Sequence, residues 1–379
     1  MNDIWSKARE EFPVTKNWVY LNHAGVSPIP SRTASAIERY TKEVTSQGAC
    51  IYEEWMKRVE EVRRSFAKII GADSKEVAFV KNTSHGLSIV ANGIPWKKGD
   101  NIITVYGEFP SNIYPWMNLQ KQGVELRTVT PKEGRVLPEE IEKLMDENTR
   151  LLTISSVEFG TGFRNDLDAL GLICKEKGIL FCVDAIQSLG LIPMDVKKWN
   201  IDFLAADGHK WLVAPEGLGC FYCSMEKLES LELPLLGWNS VVNATDFSNY
   251  DFTLKKDAQR FEEGTLNIMG IMALGASLEL LQEIGIDRIE QRVLGLTEQI
   301  ISELLQKGYK VRSPRGEGER SGIVSFESKK SSDAIQRLLM KQGIACASRD
   351  GALRVSPHFY NTEEEIQVFM KKLVDLDEA

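Results

Sequence analysis

Two short apolar runs, residues 179–183 (ILFCV) and 202–206 (DFLAA), each break off into polar residues. The first is followed by Asp184, with Gln187 just beyond; the second runs into Asp207-Gly208-His209-Lys210. Runs of this length without polar alternation predict strands buried on both faces. Similar strand patterns occur at 76–80, 101–105, 124–129 and 151–155, with helical patterns at 138–147 and 167–177. This alternation, from Glu76 to Cys223, predicts a mainly parallel, doubly wound sheet. Upstream, residues 31–48 look helical. Over 53–70, Trp55, Val59, Val62, Phe66 and Ile69 form one apolar stripe opposite Glu and Lys/Arg. Beyond Cys223 the periodicity loosens, then returns as long helices at 268–284 and 287–307. Strands near 322–326 and 353–356 and helices at 332–342 and 362–376 follow, the last opened by a capping box, Thr362-Glu-Glu-Glu365. The expectation is an α/β protein: an N-terminal segment (1–20) ending in a short strand, a large domain (21–265) and a small α+β domain (266–379), with no internal repeat.

The polar strand ends carry the chemistry. Ligands of open parallel sheets sit outside the carboxyl ends of the strands. An acid (Asp184), an amide (Gln187), an imidazole (His209) and an amine (Lys210) are thus expected around one crevice. After the 76–80 strand, Asn82-Thr83-Ser84-His85-Gly86 opens a helix, where free backbone N–H groups and the helix dipole favour an anion. Singly, these residues read as turn formers and an N-cap. An acid and a lysine in this order, each after a buried-type strand, instead suit pyridoxal phosphate. That cofactor takes an amine as a Schiff base and a carboxylate beside its pyridine nitrogen.

The stretch 181–219 resembles the class V aminotransferase family, fold-type I pyridoxal-phosphate enzymes that include cysteine desulfurases, selenocysteine lyases and isopenicillin N epimerase. The resemblance extends over nearly the whole chain. It implies that Lys210 forms the Schiff base, Asp184 meets the pyridinium, Gln187 meets the phenolic oxygen and His209 contacts the phosphate. It implies a phosphate loop at Thr83 and Ser84. Phe109, in Glu108-Phe-Pro-Ser-Asn112, holds the place of a ring, commonly His, stacked on the cofactor; the other reading is a buried Phe at a helix start. Thr265, in Arg260-Phe-Glu-Glu-Gly-Thr-Leu-Asn267, would reach the phosphate of a neighbouring subunit, which requires a homodimer with shared active sites. Arg354, in Arg354-Val-Ser-Pro-His-Phe-Tyr-Asn-Thr362, would bind the substrate α-carboxylate, bidentate geometry being natural to its planar fork. His23, in Leu21-Asn-His-Ala24, would border the substrate, or else is a hydrogen-bonded turn histidine. Trp238 suits an active-site loop or an interface.

Two positions depart from the family pattern. Phe109 can stack but cannot exchange protons, and Phe159 stands where many relatives have an Asn near the cofactor ring. Desulfurases also carry a nucleophilic Cys on a mobile loop upstream of the carboxylate Arg. Here Cys346 lies in a short apolar run, Gly-Ile-Ala-Cys-Ala-Ser, and reads as structural. The expected function is action on a small α-amino acid, of cysteine desulfurase or selenocysteine-lyase-like C–S lyase type. An aminotransferase or epimerase is the alternative, and a non-catalytic partner-binding protein on the same fold is the reading from another class.

Composition narrows this further. The 379 residues are 43% hydrophobic and 26% charged, with net charge −8 and no basic block, which argues against nucleic acid. No apolar run reaches membrane-spanning length, and the N-terminus lacks a signal-peptide core, so a cytoplasmic protein is expected. Six scattered cysteines suit reduced thiols. Cys220 and Cys223 form a CxxC inside a strand pattern, where the two sulfurs face opposite ways and no second CxxC completes a metal site.

Overall fold

A computed structural model describes residues 2–378. Met1 and Ala379, the outer ends of the expected N-terminal segment and small domain, lie outside the described residues. The chain opens with α1 (Asn2–Glu10), β1 (Val19–Tyr20), α2 (Ser31–Gln47) and α3 (Tyr52–Ile69). Then come β2 (Val77–Val80), α4 (Thr83–Gly93), β3 (Asn101–Val105), α5 (Tyr114–Met117), β4 (Glu125–Val129), α6 (Pro138–Glu142), β5 (Thr149–Ser155), α7 (Leu167–Lys177), β6 (Leu180–Asp184), β7 (Phe203–Asp207) and β8 (Gly219–Cys223). After a long irregular stretch follow α8 (Ile268–Ile284), α9 (Ile286–Gln306), β9 (Lys310–Val311), β10 (Val324–Glu327), α10 (Ser332–Lys341), β11 (Ile344–Ala345), β12 (Ala347–Arg349), β13 (Ala352–Val355) and α11 (Glu363–Glu378).

Seven strands form one sheet in the order β2-β8-β7-β6-β5-β3-β4. All run parallel except β8, which is antiparallel to both β7 and β2. The central strands alternate between two cores. Phe181, Val183, Leu204 and Ala206 face a first core with α3, α7 and α8. Cys182, Phe203, Ala205 and Phe221 face a second with α4 and Trp116. Burial on both faces is why these strands read as unbroken apolar runs. The same alternation sends Cys220 to the first core and Cys223 to the second, and both are free thiols.

A four-stranded antiparallel sheet, β12-β13-β10-β9, makes a third core with α10, α11 and the second half of α9. The packing divides the chain differently from the expected boundary at residue 265. Helix α8 is apolar on nearly every side, and its Ile271, Leu274, Leu278 and Leu281 belong to the first core. Within α9, Ile289 and Val293 still face that core, whereas Leu296, Ile300 and Leu304 face the third. At the other end, β1 pairs parallel with β11, and Leu21 is buried in the third core. The helix expected over 138–147 stops at Glu142. Asp146 turns the chain instead, its Oδ1 accepting from Asn148 N (2.9 Å) and Asn101 Nδ2 (2.7 Å). Among the described residues no single helix is long and apolar enough to cross a membrane.

Candidate active site

Strands β6 and β7 are parallel neighbours that end at Asp184 and Asp207. Beyond β6, Asp184 Oδ1 accepts from Ile186 N (3.0 Å), an Asx turn that fixes the carboxylate at the strand end. Beyond β7 the chain folds back tightly, with Gly208 N donating to Leu218 O (2.9 Å) and Ala214 N to Gly208 O (2.9 Å). Lys210 therefore sits close to the sheet, only 8% exposed. The loop is held from three sides. Gln187 Oε1 accepts from Trp211 Nε1 (3.1 Å), and Gln187 Nε2 donates to Ala24 O (3.1 Å). His358 Nε2 lies 3.1 Å from Trp211 O, and Ser27 N donates to His209 O (2.8 Å).

Helix α4 brings its N-terminus to the same place. A side chain at Gly86 would put its Cβ 2.7 Å from that of Ala205, so only glycine lets α4 lie this close to β7. Asn82 Oδ1 caps the helix through His85 N (2.9 Å). Thr83 Oγ1 accepts from Asp207 N (3.0 Å), and Ser84 Oγ donates to Ser111 Oγ (2.7 Å). His209 Nδ1 stands 2.9 Å from Asp207 Oδ1.

One cavity of about 390 Å³ collects Thr83, Ser84, Phe109, Asp184, Gln187, His209, Lys210 and Arg354. Phe109 is 43% exposed, with its ring centroid 5.5 Å from Lys210 Nζ and edge-on to Phe159 at 5.4 Å. It is thus a wall of the cavity rather than a core residue. Arg354, on β13, reaches in from the small sheet and donates from Nη1 to Phe159 O (2.7 Å). Its Nε is buried with no hydrogen-bond partner among the described residues.

Burial dominates the electrostatics. It pushes Asp184 up to about 6, opposed by the Ile186 N–H and by Lys210. It pushes Lys210 down to about 8, opposed by Asp184 and reinforced by Arg354. It lowers Arg354 to about 10, with Arg349 adding to the effect.

Two expected site residues do not line this cavity: His23, expected to border the substrate, and Thr265, expected to serve a neighbouring subunit. His23 is fully buried, with Nδ1 2.7 Å from Ser356 O and Nε2 2.7 Å from the Tyr360 hydroxyl. Both ring nitrogens are engaged outside the cavity lining, so His23 ties the N-terminal segment to the end of β13 rather than bordering substrate. Thr265 is exposed and lines a separate depression with His85 and Glu263. Cys346 faces the third core, 3% exposed, and burial pushes its thiol up to about 12. No cysteine lines the cavity among the described residues.

Three acidic or basic neighbours were not among the expected site residues. Glu108 accepts from the backbone and hydroxyl of Ser155, and Glu158 accepts from Asn165 Nδ2 (2.8 Å). Burial raises both, Glu158 to about 7, and Asp184 raises each further. Glu108 opens the Glu-x-x-x-Asn run that located Phe109; Glu158 follows β5 with no comparable signal. Arg349 is the third, at the cavity edge.

The donor set fits pyridoxal phosphate. A buried amine that makes no side-chain hydrogen bond among the described residues lies in one cavity with a buried carboxylate, and a helix N-terminus with two hydroxyls is aimed at the same space. A guanidinium with an unpartnered Nε supplies a place for a substrate carboxylate.

Comparison with known proteins agrees. The family model described as aminotransferase class-V matches residues 19–369. A probable cysteine desulfurase of Methanothermobacter thermautotrophicus is 34% identical over 394 residues, covering 97% of each chain. The apo structure of the cysteine desulfurase from Thermococcus onnurineus NA1 matches at 28% identity, TM-score 0.91, over 98% of both chains. The cystine C–S lyase C-DES, solved with its product cysteine persulfide, shares the fold at 23% identity, TM-score 0.90, over 96% of this chain and 99% of that one. The chain belongs to the class V aminotransferase family of fold-type I pyridoxal-phosphate enzymes.

Proposed function

We propose that the protein is a pyridoxal-phosphate-dependent C–S lyase of the cysteine desulfurase group, cleaving the Cβ–S bond of a small α-amino acid without an enzyme-bound persulfide. The observation that carries this is the cavity itself: Lys210, Asp184 and Arg354 converge there, and no thiol among the described residues does. Cysteine desulfurases among its relatives support the substrate class.

The bound cofactor supplies an electron sink for charge developing at the substrate Cα. Asp184, raised to about 6, remains largely anionic at pH 7 and holds a proton on the ring nitrogen. Thr83, Ser84 and His209, with the N-terminus of α4, take the phosphate. Arg354 binds the α-carboxylate with the nitrogens it does not use on Phe159. Lys210, lowered to about 8, carries an appreciable unprotonated fraction near neutrality and accepts the Cα proton. Phe109 and Phe159 line the cavity with apolar surface against water. With Cys346 buried, sulfur leaves Cβ with the bonding pair and is released as sulfide or a thiolate rather than captured by the enzyme.

We also infer a homodimer in which Thr265 serves the partner's phosphate. Thr265 is exposed and outside its own cavity, and the segment before it exposes Trp238, Phe247, Tyr250 and Phe252.

The test is product analysis with purified enzyme and a panel of amino acids. Sulfide with pyruvate from a sulfur-bearing substrate is the expected outcome. A keto acid with its side chain intact, or racemised substrate without sulfide, would make the enzyme an aminotransferase or an epimerase.

A further inference from the structure

Arg354 is not the sole guanidinium at the cavity. Arg349, on β12, lines it as well and is exposed. Strands β12 and β13 form a hairpin closed by Asp350-Gly351, both with positive φ (50° and 73°), the geometry of a two-residue type I′ turn. That turn fixes the register: Arg349 opposes Ala352, and Ala347 opposes Arg354. Directly opposed residues share a face, as do alternate residues along a strand. Arg349 and Arg354 therefore stand on one face as diagonal neighbours, a relation that separates positions by roughly 7–8 Å.

Neither arginine has an acidic partner. Arg349 donates from Nη1 to Ser348 O, and Arg354 to Phe159 O. Among the described residues neither makes an ion pair. The acids nearby are otherwise placed: Asp207 with His209, Asp184 at the end of β6, and Asp350 in the turn, whose charge favours that of Arg354 without forming an ion pair with either arginine among the described residues. Like charges facing one cavity without an anion between them are unfavourable, which suits a ligand that brings the anions. The α-carboxylate satisfies Arg354. The phosphate cradle lies with α4 and the β7 end, whereas Arg349 comes from the small sheet beside Arg354. A second anion is unaccounted for.

We propose that Arg349 is a specificity residue that receives a second carboxylate, carried at the far end of the substrate's side chain. The proposal rests on the reading of Arg354 as the α-carboxylate site. It narrows the substrate to α-amino acids with a distal acid, borne on the sulfur substituent if the enzyme is a C–S lyase and on a carbon chain only if that reading of the reaction fails.

The experiment titrates the cofactor absorbance of holoenzyme with two matched pairs: S-carboxymethylcysteine against S-methylcysteine, and glutamate against norvaline. In the wild type the acidic member of at least one pair binds more tightly. A response in the first pair places the acid on sulfur, and a response in the second alone places it on carbon. Arg349→Gln lowers that preference by about tenfold or more, the size of one charge-assisted hydrogen bond, and Arg349→Lys restores part of it. No preference in the wild type, or a preference that Arg349→Gln leaves intact, overturns the proposal. Arg354→Gln separates the two readings. It should weaken all four ligands alike; if it does and the Arg349 preference does not move, only the role of Arg349 fails. If Arg354→Gln leaves all four unchanged, the carboxylate site is wrong and this inference falls with it.

Discussion

Replacing Asp184 by Asn keeps the shape of the strand end and removes its charge. The amide oxygen can still accept from Ile186 N, the bond that sets the Asx turn. What changes is the cost of burying an anion. Burial raises Asp184 from 3.8 to about 6, so the folded apoprotein binds this proton more tightly than the unfolded chain does. Stability therefore falls as pH rises through the window from about 4 to about 6, and the penalty is complete above it. At 1.36 kcal/mol per unit, the shift corresponds to about 3 kcal/mol. Lys210 has the opposite sign. Its amine is lowered to about 8, so the folded state binds fewer protons, and stability rises with pH between about 8 and 10.5. Apo Asp184→Asn should thus be more stable than apo wild type at pH 7.5, by up to about 3 kcal/mol, with the difference shrinking toward pH 4.5. Lys210 loses a neighbouring anion and gives part of this back. Urea denaturation of both apoproteins at the two pH values measures it. The holoproteins should reverse the order, because the pyridinium is the partner that the wild-type anion awaits. An apo variant no more stable than wild type at pH 7.5, with the same dependence on pH, would refute the account.

Three further outcomes follow from the geometry. Lys210→Ala should leave no borohydride-reducible link between cofactor and protein, while the ring and phosphate contacts still hold some pyridoxal phosphate; a reducible link in the variant would place the attachment elsewhere. Cys346→Ala should retain most turnover, and mass spectrometry of enzyme quenched during turnover with cysteine should find no sulfur adduct on Cys346, since its thiol is buried and pushed up to about 12. Thr265→Ala should weaken cofactor binding about tenfold, the size of one charge-assisted hydrogen bond, and wild-type affinity should drop on dilution to monomers; equal affinity in monomer and dimer would detach Thr265 from the partner's site.

Much of the site was legible because its parts are local. Asp184 and Lys210 each follow a strand whose burial is written in its own residues, and α4 announces its N-terminus through Asn82 and Gly86. What escaped depends on contacts distant in sequence. His23 engages Ser356 and Tyr360, more than 330 positions away, so nothing near it shows that its nitrogens are taken. Glu158 follows β5 in an irregular turn, and its burial beside Asn165 depends on the turn's fold rather than on any local pattern. The change of core falls within α9 rather than at residue 265, because α8 and α9 both read as helices and their periodicity does not say which core each face meets. Arg349 is an ordinary strand arginine until the Asp-Gly turn sets it diagonal to Arg354.

That same turn bears on the fate of sulfur. An enzyme that captures sulfur on its own cysteine needs a thiol that can travel to the substrate and away again. Here the link between the β11 end and the Arg354 strand is Cys346 itself, a three-residue strand paired along its length with β13, and a two-residue turn. Alternation turns Cys346 away from the face that carries Ala347, Arg349 and Arg354. Bringing its sulfur into the cavity would require breaking the β12–β13 pairing and lifting a buried side chain out of the third core. It would also move Arg354 itself, because Ala347 is its register partner. The thiol cannot enter the cavity without disturbing Arg354, the residue proposed to hold the substrate carboxylate, so the hairpin supports the proposal that sulfur is released rather than captured by the enzyme.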